Sequence, residues 1–317
     1  MPWPKSSWNG REPPFDISKT MATPNPTTLR PKGPQGMDLT RKPRLRVIFS
    51  RAMDILVGLV TFAALVPLVS VLYMVVSRGA GNFRWSMLWQ LPPAAGEDGG
   101  GFGNALVGTF LLVCIGALVS VPGGILTAIF LTEYSQGSKS ARIIRFCAKI
   151  LSGLPSILAG VFIFGVLVAT TRSFSVIAGG LALSILMLPI IILATEEALL
   201  RVPRFLREAS LALGANRTQT VLHITLPAAG STIITGVMLA VARAAGETAP
   251  IIFTALFTSY WISSLHEPTA SMAVLIYNFS SVPYDNMVNM AWTASFVLIV
   301  IVLVTNIVSH VVANRSK

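Results

Sequence analysis

Apolar residues in this chain gather into long unbroken runs instead of alternating with polar ones. Five runs carry no charged residue: Ile55–Val76, Ala105–Leu131, Ile150–Thr171, Ser173–Thr195 and Met290–Val312. A sixth, Ala229–Phe257, is interrupted only by Arg243 and Glu247. Each is long enough for the roughly 20 residues a helix needs to cross the hydrocarbon of a bilayer. The pattern predicts an all-α membrane protein of six transmembrane helices, with polar segments between them.

Composition agrees with this reading. The 317 residues are 53% hydrophobic and 12% charged, with a mean hydropathy of +0.69. A soluble domain would carry about twice that share of charge. The net charge of +11 would suggest nucleic acid in a soluble protein, but its placement points to membrane topology. Ten Lys/Arg precede the first run. Lys139, Arg142, Arg145 and Lys149 lie between the second and third, and Arg201, Arg204, Arg207 and Arg217 between the fourth and fifth. Arg315 and Lys317 follow the last, whereas Arg78, Arg84 and Arg172 fall on the other side. By the positive-inside rule both termini are expected in the cytoplasm, together with the segment between the fourth and fifth helices. The bilayer is the expected partner of these surfaces, and nucleic acid is not.

Residues 1–45 form a separate region, basic and rich in proline, expected as a disordered cytoplasmic tail ahead of a transmembrane domain over 46–317. Between Thr258 and Asn289 a long outer loop without Lys or Arg carries Tyr260, Trp261, Tyr277, Phe279 and Tyr284, read as interfacial anchors. Cys114 and Cys147 read as small buried hydrophobes. His223, His266 and His310 lack ligand spacing, so no metal site is expected.

The polar stretch over 203–227 has a definite internal order. Pro203 suits the start of a helix, and Phe205–Leu213 reads as a short amphipathic one with Phe205, Ala209 and Ala212 along one face. Gly214 fits the left-handed residue that ends it. Asn216 or Thr218 can cap a second short helix towards Leu226, and Pro227 is expected to separate that helix from the next span. Ala209 and Ser210 are small enough to let another surface approach the backbone, and Glu208 and Arg207 could pair across such an interface. The spacing of Glu208-Ala209-Ser210, Gly214, Ile224 and Leu226-Pro227 resembles the coupling loop of ABC importer permeases, with Ser210 where that family usually has alanine. The resemblance implies docking onto a separate ATPase.

Within the sixth run, Arg243 and Glu247 are one turn apart and can neutralise each other. A charge at the bilayer centre costs at least about 2.5–3.5 kcal/mol. Two readings stand: a structural ion pair, or a guanidinium that meets an oxyanion in transit. Pro250 cannot donate to the carbonyl of Gly246, which weakens the helix there. In the third run, Pro155 and Ser156 mark a kink that is either structural or part of a gate.

The stretch Ala242-Arg243-Ala244-Ala245-Gly246-Glu247-Thr248-Ala249-Pro250 is similar to the signature of phosphate ABC transporter permeases, in the form of the PstA type. Asn104-Ala105, Gly108-Thr109, Leu131-Thr132-Glu133-Tyr134 and Leu154-Pro155-Ser156-Ile157 agree with it. The resemblance implies a type I ABC importer permease in the inner membrane, with Arg243, Glu247 and Thr248 in the substrate pathway. It implies a PstC-like permease beside this chain, a PstB-like ATPase dimer and a PstS-like phosphate-binding protein. Because the chain has no G-x-x-x-x-G-K-[ST] loop, ATP and Mg are expected on the ATPase, and no cofactor here. Alternatives are a permease for sulfate, molybdate or phosphonate, a secondary transporter or channel, and a signalling scaffold.

Overall fold

Proline and glycine decide where the apolar runs become helices and where they break. The computed structural model describes residues 44–135 and 137–315. Its helices are α1 Arg44–Gly81, α2 Gly103–Tyr134, α3 Lys139–Gly153, α4 Ser156–Thr171 and α5 Val176–Leu200. They continue with α6 Arg204–Ala212, α7 Arg217–Ala245, α8 Ala249–Thr254, α9 Met272–Ser280 and α10 Asp285–Arg315. No strand occurs among the described residues. The tail expected over residues 1–45 lies outside them up to residue 43, and α1 begins at Arg44.

Contacts divide the chain into Met1–Val66 and Pro67–Lys317. The described part of the first unit is the start of α1, with apolar side chains exposed from Ile48 to Val66. In the second unit α5 is central: 61% of its most apolar stretch is buried, against 28% for those of α2, α7 and α10. Lipid tails are as apolar as leucine, so helices in a membrane are held by close packing, which small residues permit. Gly180 of α5 is such a residue. A Cβ there would stand 2.5 Å from Ile115 Cγ2 of α2.

Among the described residues five helices are long and apolar enough to span a membrane, six if the bent pair α3–α4 is counted as one span. That pair corrects the expected third helix. The run Ile150–Thr171 is not one element: its first residues end α3, the chain turns at Leu154-Pro155, and α4 leaves at 104°. Proline biases the residue before it towards extended backbone, and Leu154 has φ −72°, ψ 143°. Pro155 therefore forms a corner between two helices instead of a kink inside one.

The sixth run breaks as well. Instead of continuing to Phe257, α7 stops at Ala245, and α8 starts two residues after Glu247 with Pro250 in its first turn. The long loop expected on the outer side, for its part, folds back onto the bundle. Met272 donates its N–H to Thr109 Oγ1 at 2.8 Å, one and a half turns into α2. Phe279 is buried against α10 and is no interfacial anchor, whereas Tyr260, Trp261, Tyr277 and Tyr284 are exposed. Cys114 and Cys147 are both exposed, contrary to expectation.

Candidate functional site

Helix α6 and the start of α7 form a rigid hairpin. After Pro203, α6 runs to Ala212, and Gly214 follows with φ +88° and open space around it. Only backbone conformation demands glycine there. The N–H of Ala215 returns to Ser210 O at 3.2 Å, closing the helix end. Asn216 then caps α7 reciprocally with Gln219, at 2.8 and 2.9 Å.

Phe205, Glu208, Ala209, Ala212 and Leu213 are exposed on this hairpin. Ser210 is not: it is buried, with its hydroxyl 3.0 Å from that of Thr220. Its small size serves contact between α6 and α7 and not a surface open to another protein. Arg207 also turns inward, which corrects the expected pairing across an interface. It lies 2.9 Å from Glu133 at the end of α2, and donates to Leu199 O (2.8 Å) and Val202 O (3.0 Å). Pro227 does not end a helix. A wide turn at Val221–Thr225 relieves the clash its ring would cause, and α7 continues through it. Leu226 is half-buried and Pro227 exposed.

A second ion pair lies at the same end of the bundle. Arg145 of α3 meets Glu196 of α5 at 2.5 Å and donates to Leu131 O at 3.2 Å. The last turn of α2 thus receives both arginines.

Deeper in the bundle, Arg243 Nε is 3.5 Å from Glu247 Oε1, with side chains 53% and 16% exposed. Arg243 sits in the last turn of α7 and not in mid-helix, because Gly246, Glu247 and Thr248 leave the helical path. The Thr248 carbonyl accepts from Ile251 and Ile252, each at 3.2 Å, and so starts α8. Beside the break, Pro250 packs on Gly160 of α4, where a Cβ would stand 2.6 Å from Pro250 Cα. Pro155 and Ser156 are one turn below that contact, at the α3–α4 corner. Ala242 and Ala245 line an apolar groove of about 400 Å³ with Thr109, Cys114, Met272 and Leu298. The arrangement presents a guanidinium with free surface where a helix is interrupted, which suits a transient contact with an oxyanion. Among the described residues no cluster could hold a metal ion.

A family model described as the binding-protein-dependent transport system inner membrane component matches residues 120–317. The chain belongs to this family. It is 37% identical over 250 residues to the phosphate transport system permease protein PstA of Yersinia pestis, covering 79% of this chain and 85% of that one. It is 38% identical to the PstA of Haemophilus influenzae, covering 78% and 87%, and 36% identical to PstA 1 of Mycobacterium tuberculosis (strain ATCC 25618 / H37Rv), covering 80% and 85%. Its fold is similar to a chain of the inward-facing MetNI methionine ABC transporter, with a TM-score of 0.56 at 20% identity, over 74% of this chain and 100% of that one.

As an inner membrane component of this family the chain is a multi-pass transport subunit that works with further subunits. The structure assembles the loop and the intramembrane pair at separate depths of one bundle. Glu133, Arg145 and Glu196 had no place in the sequence-derived site. Their signal was faint: each is a charge beside the end of an apolar run.

Proposed function

We propose that the chain is the PstA-type permease subunit of an ATP-driven importer of inorganic phosphate. It forms the pathway with a PstC-like permease, takes phosphate from a PstS-like binding protein and docks on a PstB-like ATPase that holds ATP and Mg. The observation that carries this reading is the Arg243–Glu247 pair at a helix break, in a chain 36–38% identical to proteins named phosphate permeases. The exposed face of Phe205, Ala209 and Ala212 is the docking surface, Glu208 lies at its edge, and Gly214 fixes its angle. In this reading both termini are cytoplasmic and the α6–α7 hairpin faces the ATPase. ATP is needed because bringing a dianion into a cell that is negative inside costs roughly 2.3 kcal/mol per charge per 100 mV.

Arg243 offers donors to the anion in transit, Glu247 balances the guanidinium when none is present, and the break over Gly246–Thr248 gives the pathway a hinge. Pro155 and Pro250 bound α4 and α8, which meet at Gly160. They are the place for a gate. The test is uptake of labelled phosphate, with sulfate and molybdate as competitors, in cells lacking their own phosphate permease but supplied with this chain and its partners. Uptake blocked by excess phosphate alone supports the reading, and block by sulfate or molybdate refutes it.

A further inference from the structure

Helix α3 is held by the bundle on one side only. Ala141 and Ala148 are buried against Leu131 and Ile192, and Arg145 on the same side is neutralised by Glu196. The rest of its surface is free and unusually composed. Phe146 is 63% exposed, Ile143 62% and Ile150 46%, and Arg142 and Lys149 are exposed beside them. Arg142 and Lys149 stand one turn either side of Phe146, and so do Ile143 and Ile150. A basic edge and an apolar edge therefore meet at Phe146. The helix contains no acidic residue, so its remaining charges are all positive.

The direction of α3 matters equally. At 104° to α4 it lies across the apolar spans instead of along them. The corner between them encloses an apolar groove of about 520 Å³, lined by Leu151, Leu154, Leu158, Phe162, Ile185 and Leu188. A helix with one basic and one apolar edge, lying across the spans, fits the boundary between headgroups and acyl chains.

We propose that α3 lies in the plane of the membrane surface and binds anionic phospholipid. Arg142 and Lys149 hold the phosphate of the headgroup, and Phe146, Ile143 and Ile150 sit among the acyl chains. Charge complementarity selects this occupant: a zwitterionic lipid brings a cation of its own beside its phosphate and so adds no net negative charge, and an apolar protein face offers no anion at all. Because Arg145 ties α3 to Glu196 and the Leu131 carbonyl, the bound lipid lies one helix away from the ends of α2 and α5. The proposal does not depend on which substrate the chain transports.

The test uses the full chain carrying Phe146→Trp in vesicles of phosphatidylcholine with a minority of phosphatidylglycerol. Bromine is placed on the acyl chains of one lipid at a time, and the parent chain's fluorescence is subtracted. Brominated phosphatidylglycerol should quench the added tryptophan at least about fivefold more per mole than brominated phosphatidylcholine, the enrichment that even one of the two surface cations gives. Adding Arg142→Gln and Lys149→Gln should bring the ratio to about one, and adding Arg142→Lys alone should preserve it. Equal quenching by the two lipids in the Phe146→Trp chain would overturn the proposal. So would a lack of quenching by either, which would mean that protein covers this face.

Discussion

Arg207 and Glu133 are 74 residues apart in sequence and 2.9 Å apart in the structure, with side chains 19% and 8% exposed. With the two carbonyls Arg207 also reaches, the pair makes α6 one body with the ends of α2 and α5. Force applied to α6 is then passed to two spans directly. Removing one partner of a buried pair costs about 3–5 kcal/mol. Glu133→Ala should therefore lower the thermal unfolding midpoint of the purified chain by several degrees. The exposed pair Arg201–Glu197, 69% and 67% accessible, is the control, and Glu197→Ala should shift the midpoint little. Equal shifts would deny the Arg207–Glu133 pair its structural role.

Gly214 separates backbone strain from crowding, since its φ of +88° is left-handed while the space around it is open. Gly214→Val should cost about 1–2 kcal/mol locally and uncouple uptake, with normal insertion. Gly214→Asn should keep most uptake, because asparagine tolerates this conformation. Phosphate uptake at matched protein levels checks both, and normal uptake by Gly214→Val would remove the loop from the mechanism.

Arg243 and Glu247 distinguish a structural pair from a substrate contact. If the pair only neutralises itself, Arg243→Gln with Glu247→Gln should recover what each single change loses. We expect the opposite: uptake stays abolished in the double variant, while ATPase binding is retained. A double variant that transports phosphate normally would show the pair to be structural.

Topology can be read with the chain's own thiol. Cys147 is exposed on α3, which the charge distribution assigns to the cytoplasm. In a Cys114→Ser background it should be protected from an impermeant thiol reagent in intact cells, and a cysteine replacing the exposed Arg201 should be protected there and react once the cells are permeabilised. A cysteine replacing Glu267 should react. Labelling of Cys147 from outside would reverse the orientation and remove the hairpin from reach of an ATPase.

The sequence made the apolar spans legible because the bilayer imposes length and charge-free composition, and both survive without an alignment. The hairpin was legible for a similar reason: Gly214 and Asn216 answer to local backbone geometry. The helix breaks were harder. Hydropathy does not change at Pro155, and Arg243 and Glu247 one turn apart read as an ion pair within one span, so a corner and an interrupted span look like continuous runs. Ser210 and Arg207 were misplaced because their partners, Thr220 and Glu133, are fixed by tertiary packing. Nothing in a linear motif says whether a polar side chain turns outward or inward.

The interruption at Gly246–Thr248 also bears on biogenesis. Helix ends leave backbone polar groups without intrahelical partners, and irregular backbone at membrane depth is tolerated only against protein or water. Arg243 and Gly246 are exposed at that point. A copy inserted without its neighbours would present this surface to lipid, which cannot satisfy the open backbone. The same residues proposed to pass the anion would then make the lone subunit less stable in the bilayer than the assembled one.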